Sequence, residues 1–414
     1  MTPRRTAGRG SPELEPEEPQ LPRLRDERDI ARFSAAMLTR RSFLARTALL
    51  GAAGLAAGAG VPELAGATTR RGLAAHPAAD RAGAAKSLGT LRVAGPAPSW
   101  DPADAGQGSG AIDTPIELIL GITDGIDHNI DFTYVGSGAQ PGQGQLDFVA
   151  GQLDTTSFGA SGAAIAVLQG YDLVIACATL WNHSRWIVQG GSSYKTVEDL
   201  RGKTVATTIP SSDTYRAIKL ALAVNGLDFE TDFQVVTGSP VANLALFERG
   251  GVDCYIAIEP TATELVGGGA HQICTTGQLW AKGSGSNAPF FLNGPAFYTS
   301  FARHHLRLVE AYCEMQLEVN EYIHEHPLIT QKYANWYGIS RKATPAAYAL
   351  LPRRLPLVYP TYWDQSVTSD IDLQIKWGVK EGIISQTPPR PVYLTSTYSQ
   401  PTAYSQATSG QAGA

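Results

Sequence analysis

Five short stretches carry the residue types that suit chemistry: "GPAPSW" (95–100), "FGAS" (158–161), "TLWN" (179–182), "IPSSDTY" (209–215) and "IEP" (258–260). Trp100, Trp181 and Tyr215 offer flat apolar walls, and Ser161, Asn182, Ser211, Ser212 and Thr214 offer donors and acceptors. Glu259 is the one carboxylate at a strand end, apart from Asp213 in a helix start. Walls, hydroxyls and one carboxylate suit non-covalent capture of a small molecule with N–H groups or a positive charge. An unpaired buried carboxylate would repel nitrate or sulfate. The turn Pro210-Ser211-Ser212 adds a second possibility, because the helix behind it starts with N–H groups that lack intrahelical partners. A serine there caps by default. The same electropositive start also suits a carboxylate, sulfonate or phosphate. Asp213 already places a negative charge in that first turn, so neutral, zwitterionic and anionic ligands all stay open.

Catalytic readings have weaker support. Ser161 sits on a strand-to-helix turn, as a hydrolase nucleophile would, but "GASGA" (159–163) lacks the closing Gly of G-x-S-x-G. "GSGAQPGQG" has Pro141 where a dinucleotide loop needs its third Gly. His304, His305, His324 and His326 share a region, yet 324 and 326 are two apart rather than at the i,i+4 spacing of a helical metal site. No metal, no cofactor and no enzyme activity are expected; an exported hydrolase- or deaminase-like enzyme is the alternative, and a ligand-sensing module a third reading. Cys177, Cys254, Cys274 and Cys313 are scattered. Cys254 and Cys274, expected on neighbouring strands, are candidates for a disulfide beside the reading of four buried small side chains.

These loops need a scaffold that alternates strands and helices. "TLRVAG" (90–95), "NIDFTYVGSG" (129–138), "DLVIACATL" (172–180), "SRWIVQG" (184–190), "GKTVATT", "FQVVTG", "VDCYIAIEP" and "HQICTT" read as strands. Helices are expected over 114–124, near "LDFVAGQ", over "GAAIAVLQG", in the 213–226 stretch, over "PVANLALFERG" and through most of the chain beyond 302. This order predicts parallel sheets covered on both sides, with a β/α unit to about 182 and another over 184–280. The place for a ligand is the crevice at the carboxyl ends of the strands.

The chain has 414 residues, 43% hydrophobic and 17% charged, with 33 basic and 38 acidic side chains. Ten Arg and eight acidic residues fall in the first 67, leaving 23 basic against 30 acidic. An acidic body without a basic stripe argues against nucleic acid and anionic membranes. "TRRSFLAR" (39–46), the Gly/Ala/Leu run from Thr47 to Val61 and "AGA" (65–67) follow the order of an export signal. Arg40 and Arg41 before Ser-Phe-Leu resemble a twin-arginine signal. No Cys precedes Cys177, so no lipoprotein is expected; Met1 and Met37 are both candidate starts. Residues 68–89 read as a flexible linker and 396–414 as a disordered tail.

Several segments together carry a family resemblance. "VEDLRGKTVATTIPSSDTYRAIKLALAVNGLD" (197–228) and "VANLALFERGGVDCYIAIEP" (241–260) resemble the solute-binding proteins of ABC importers, in the nitrate/sulfonate/taurine and thiamine-pyrimidine branch. "GQLDTTSFGASGAAIAVLQG" (151–170) is similar to that branch's first-lobe strand and helix, and "EYIHEHPLITQKYANWYGIS" (321–340) to its carboxy-terminal helix. The resemblance implies an α/β, two-lobed periplasmic-binding fold of type II, each lobe a mainly parallel sheet flanked by helices. Lobe one would take 90–182 with 285–395, including the extra C-terminal helices, and lobe two 184–280, hinged near 181–184 and 282–288. It also implies an exported monomer that hands a small solute to an ABC permease. Enzymatic relatives in pyrimidine synthesis carry a cysteine-rich iron motif that this sequence lacks.

Overall fold

The computed structural model describes residues 87–95, 130–136, 143–332, 334, 337, 339–340 and 343–395. The signal region, most of the linker, the 114–124 helix, Trp100 and the tail lie outside them. Two layers organise the described residues, and the first is itself split into a two-stranded and a four-stranded sheet that share one core. In the first, β1 (Gly89–Gly95) pairs parallel with β2 (Ile130–Gly136). β1 is tied to the approach of β3 (Thr156–Phe158): Asp154 N–H donates to the Arg92 carbonyl at 2.8 Å, and Arg92 N–H to Asp154 Oδ2 at 2.7 Å. β11 (Phe291–Tyr298) lies between β3 and β4 (Leu173–Ile175), antiparallel to both, and also pairs with β5 (Leu180–Trp181). The second sheet has the order β10-β6-β9-β7-β8. Its strands are β6 (Ser184–Val188), β7 (Thr204–Thr207), β8 (Gln234–Thr237), β9 (Cys254–Ile258) and β10 (His271–Thr275). β7 runs parallel to β8 and β9; β6 runs antiparallel to β9 and β10.

The second sheet runs as a parallel pair, a third strand, an antiparallel crossing strand and an edge strand, and the first layer has a similar sequence, with its parallel pair in a separate sheet joined to the approach of β3 by the Arg92–Asp154 bonds. β6 enters the second sheet and β11 returns to the first. The expectation of parallel sheets holds for the β/α repeats and not for these two, because a strand coming back from the other half arrives at the opposite end. The "DLVIACATL" run, expected as one strand, is two. Between the pairs Ala296↔Ile175 and Asn293↔Leu180, three steps on β11 face five on its partner, so residues 176–179 bulge.

The helices are α1 (Gln143–Val149), α2 (Ala160–Leu168), α3 (Asp213–Ala223), α4 (Pro240–Glu248), α5 (Thr261–Gly267), α6 (Thr276–Ser284), α7 (Thr299–His304), α8 (Leu306–Glu325), α9 (Leu328–Lys332), α10 (Pro345–Arg354) and α11 (Gln365–Lys380). α3 buries Ile218, Ala221 and Leu222, three or four residues apart as one helix face requires. The 285–395 segment, expected on the first sheet, divides. Val367, Ile371 and Ile375 of α11 join the first core with Leu308–Leu317 of α8, whose far end, Val319 and Ile323, joins the second. α10 packs against α5 as well as against α9: Thr344 Oγ1 donates to the Gly267 carbonyl at 2.7 Å, and a Cβ on Gly267 would run into Ala347.

Two chain crossings join the sheets side by side. Asn182 N–H donates to the Phe290 carbonyl at 2.7 Å. α6 extends to Ser284, so the second crossing starts at Gly285. Asp370 of α11 ties it down by accepting from Trp280 Nε1 (2.8 Å), Ser286 Oγ (3.1 Å), Phe291 N–H (3.0 Å) and Gln374 Nε2 (2.7 Å). Cys254 and Cys274 are separated by β6, which pairs with both of their strands. Next-but-one strands lie about 9–10 Å apart, beyond disulfide reach, so that candidate pair is corrected; all four cysteines are free thiols.

Candidate functional site

The starts of α2 and α3, one from each sheet, meet above the crossings. Ser212 caps α3: its Oγ accepts from Tyr215 N–H at 3.1 Å and donates to the Ile209 carbonyl at 2.9 Å. Ser211 is exposed, and Thr214 is partly buried in the first turn. Ser212→Ala should cost about 1 kcal/mol in urea unfolding. Ser211→Ala should stay within about 0.5 kcal/mol, and equal losses would contradict this division of roles. α2 has no side-chain cap; its N-cap is Gly159, and Ser161 is buried in its first turn.

Asp213 lies between the two starts. Its Oδ2 accepts from Gly159 N–H at 2.9 Å and Gln145 Nε2 at 3.0 Å, and its Oδ1 pairs with Arg216 at 3.1 Å. Burial raises its pKa, against the pull of Arg216 and of the Gly159 and Gln145 bonds.

Tyr215 is no pocket wall. It is buried in the second core, its ring 5.2 Å from Phe229 and its hydroxyl on Glu230 at 3.1 Å. α3 turns this residue inward with Ile218 and Leu222, the apolar face of the helix. Trp181 lies at the end of β5 among first-core residues, with its ring 5.6 Å from Tyr362. Trp100 lies outside the described residues.

Glu259 is fully buried but already paired. Its Oε1 meets Arg185 at 3.2 Å and Arg354 at 2.8 Å, and its Oε2 accepts from Thr263 N–H (3.0 Å) and Oγ1 (2.6 Å). Burial pushes its pKa up, yet Arg185, Arg354 and Thr263 pull it below the usual carboxylate range. The expectation of a lone carboxylate facing a cationic ligand is corrected: two guanidiniums share one acid, and the local surplus is positive. Arg185 lay just beyond one of the quoted loops. Arg354 comes from nearly 100 residues further on, with an |i−j| of 95, and nothing local in the sequence pointed to it.

The first crossing holds buried polar atoms with no hydrogen-bond partner among the described residues: Asn182 Nδ2, both ring nitrogens of His183, and Ser184 Oγ. Asn182 Oδ1 accepts from Ser184 N–H at 3.1 Å. Register puts Ser184 opposite Ile258 and Arg185 opposite Ala257, so His183 and Glu259 fall on the face of the sheet that carries Arg185. Burial, with help from Arg185 and against Glu259, lowers the His183 pKa to about 4. Unfolded histidine titrates near ~6.5. Between these values the unfolded chain binds more protons, so stability falls as pH drops from about 6.5 to about 4, by about 3 kcal/mol in all. His183→Gln should remove that component of the slope in unfolding measured across this range; an unchanged slope would show that His183 is not its source.

Two of the four grouped histidines bond nearby backbone carbonyls. His304 Nδ1 lies 2.7 Å from the Ser300 carbonyl and His324 Nε2 2.8 Å from that of Tyr359. Among the described residues, no group of three His, Cys, Asp or Glu is placed to hold a metal ion.

A family model for the periplasmic substrate-binding protein of a phosphonate ABC transporter matches residues 145–271, from α1 to the start of β10. The alkanesulfonate-binding protein SsuA from Xanthomonas axonopodis pv. citri, bound to MOPS, superposes with a TM-score of 0.57 at 16% identity, over 75% of this chain and 99% of that one. The aliphatic sulphonate binding protein SsuA from Escherichia coli gives 0.54 at 18%, over 75% and 95%. This is the two-lobed periplasmic-binding fold. A sulfonate-binding SsuA of Methylobacillus flagellatus shares that fold at a TM-score of 0.53 and 15% identity, over 79% of this chain and 96% of its own. No curated protein matches the chain in sequence. The contact of α2 with α3 joins a helix of the first sheet to one of the second.

Proposed function

We propose that the protein is the exported solute-binding component of an ABC importer, capturing a small organic anion between its lobes. Residues 90–182 with 285–395 form lobe one in this reading and 184–280 lobe two, with α10 of the first reaching over to the second. The junction carries the reading. Consecutive residues Asn182, His183 and Ser184 present buried polar atoms without partners among the described residues, and such groups in a native fold call for a ligand, ion or water. Beside them, Arg185 and Arg354 outnumber Glu259, and a buried excess charge is stabilised by a counter-charge. An anion supplies both. Sulfonates and phosphonates are the first candidates, given the comparison proteins. The partner is an ABC permease, and the solute-loaded protein acts as a monomer.

A thermal-shift screen with MOPS, taurine, methylphosphonate, nitrate, a pyrimidine and a cationic amine tests this. A ligand at about 100 times its dissociation constant stabilises by about 2.7 kcal/mol. A shift with the amine and none with the anions would overturn the anionic class. Export by the twin-arginine route rests on Arg40 and Arg41. Replacing both with Lys should leave the precursor unexported, and normal export of that variant would refute the route.

A further inference from the structure

We propose that Asp213 is a latch, a built-in carboxylate that closes the cleft without solute and that an anionic solute must displace. Asp213 belongs to α3 on the second sheet, yet two of its three side-chain hydrogen bonds come from the other half, from Gly159 N–H at the head of α2 and Gln145 Nε2 of α1. Gln145 Nε2 also donates to the Ser157 carbonyl of β3 at 3.2 Å, which holds the amide in place while α1 and the start of α2 both donate to Asp213. The receiving surface is shaped for it. A Cβ on Gly162 would stand 2.6 Å from Asp213 Oδ1 and 3.5 Å from the Arg216 guanidinium. A Cβ on Gly159 would stand 2.8 Å from Asp213 Cγ and 2.6 Å from the Leu292 carbonyl. Only hydrogen at both positions lets the Asp213–Arg216 pair seat against α2.

Electrostatics gives the latch its sense. Helix starts carry partial positive charge, and two of them brought head to head repel unless an anion lies between. Asp213 is that anion, drawn to the start of its own helix and to the start of the opposing one. An arriving sulfonate or phosphonate group, bound for Arg185 and Arg354, has to open the bridge that Asp213 makes and is repelled by the resident carboxylate. Asp213 thereby raises the threshold for anions, so that only those making good contacts elsewhere in the cleft are retained. This last step rests on the anionic reading above; the closed resting state does not.

The test uses the purified full chain, Asp213→Ala, and Gly162→Ala, which leaves the carboxylate in place but fills its seat and suits a helix. Circular dichroism confirms folding. Small-angle scattering without solute should give a larger radius of gyration for both variants than for wild type. MOPS should compact the variants and leave wild type unchanged. MOPS affinity in Asp213→Ala should rise about fivefold or more, the scale of a coupling between conformation and binding. Folded variants that scatter as wild type, or a wild type that is expanded and compacts with MOPS, overturn the latch. Expansion of both variants with no binding of MOPS or methylphosphonate supports the latch and rejects the anionic reading instead.

Discussion

Glu259→Gln is expected to destabilise the protein by about 3–5 kcal/mol, the range for removing one partner of a buried ion pair. Glutamine keeps the shape and one acceptor for Thr263 but leaves Arg185 and Arg354 facing each other with no carboxylate between them. Both guanidiniums are largely buried, at 11% and 18% side-chain exposure, so water does not replace the lost charge. Arg354 also bonds Thr263 and Gln272, each at 2.8 Å, and cannot swing away without breaking both. Urea unfolding gives the number. A double-mutant cycle with Arg354→Met gives the mechanism, because removing one of the two guanidiniums should recover part of the loss. A loss below about 1 kcal/mol, typical of an exposed pair, would mean that the triad does not act as a buried unit.

Gly294→Ala should be more damaging still, above about 4 kcal/mol and into the exceptional range for a single substitution. A Cβ there would stand far inside van der Waals contact with the Cys177 carbonyl oxygen, 2.8 Å from the Cys177 carbonyl carbon and 3.2 Å from Ala178 Cα. The obstacle is backbone, so no rotamer change relieves it. β11 is held on both sides at this point: Gly294 pairs with Phe158 of β3, and Ala176 N–H bonds the Pro295 carbonyl at 2.8 Å. Soluble yield and thermal melting report the effect. Gly191→Ala, with open space around its Cβ position, is the control. A melting temperature matching that control would show that the 176–179 bulge yields.

The second sheet was readable residue by residue because each of its β/α turns is local: "GKTVATTIPSSDTYRAIKLALAVNG" holds a strand, a cap, an apolar helix face and a glycine stop in one run. β11 was not, since "FLNGPAFY" has Gly-Pro in its middle, a turn signal. It survives as a strand because Gly294 is demanded by close approach. Pro295, which has no N–H to give, still serves the sheet through its carbonyl. The site divides the same way. A serine cap at 211 or 212 and Asp213 as a charge in the first turn follow from sequence spacing, and the structure assigns the cap to Ser212. Glu259 was seen as important but with the wrong sign of environment, since its neutralising partner Arg354 is brought in by helix packing that no short motif encodes. Tyr215 differs from the expected pocket wall because a helix's third residue can face cleft or core, and only the packing of Phe229 decides.

The place of β11 also dictates an order of folding. Thr179 and Asn293, bonded across the first sheet, are 114 residues apart, and the whole second sheet lies between them. During synthesis the second sheet has all its strands before the strand that completes the first exists. The cost of closing so long a loop grows only with the logarithm of its length when the loop is flexible, and it falls further once the intervening residues have become a compact body. The second sheet with its helices then acts as a compact spacer that presents β11 to its slot between β3 and β4.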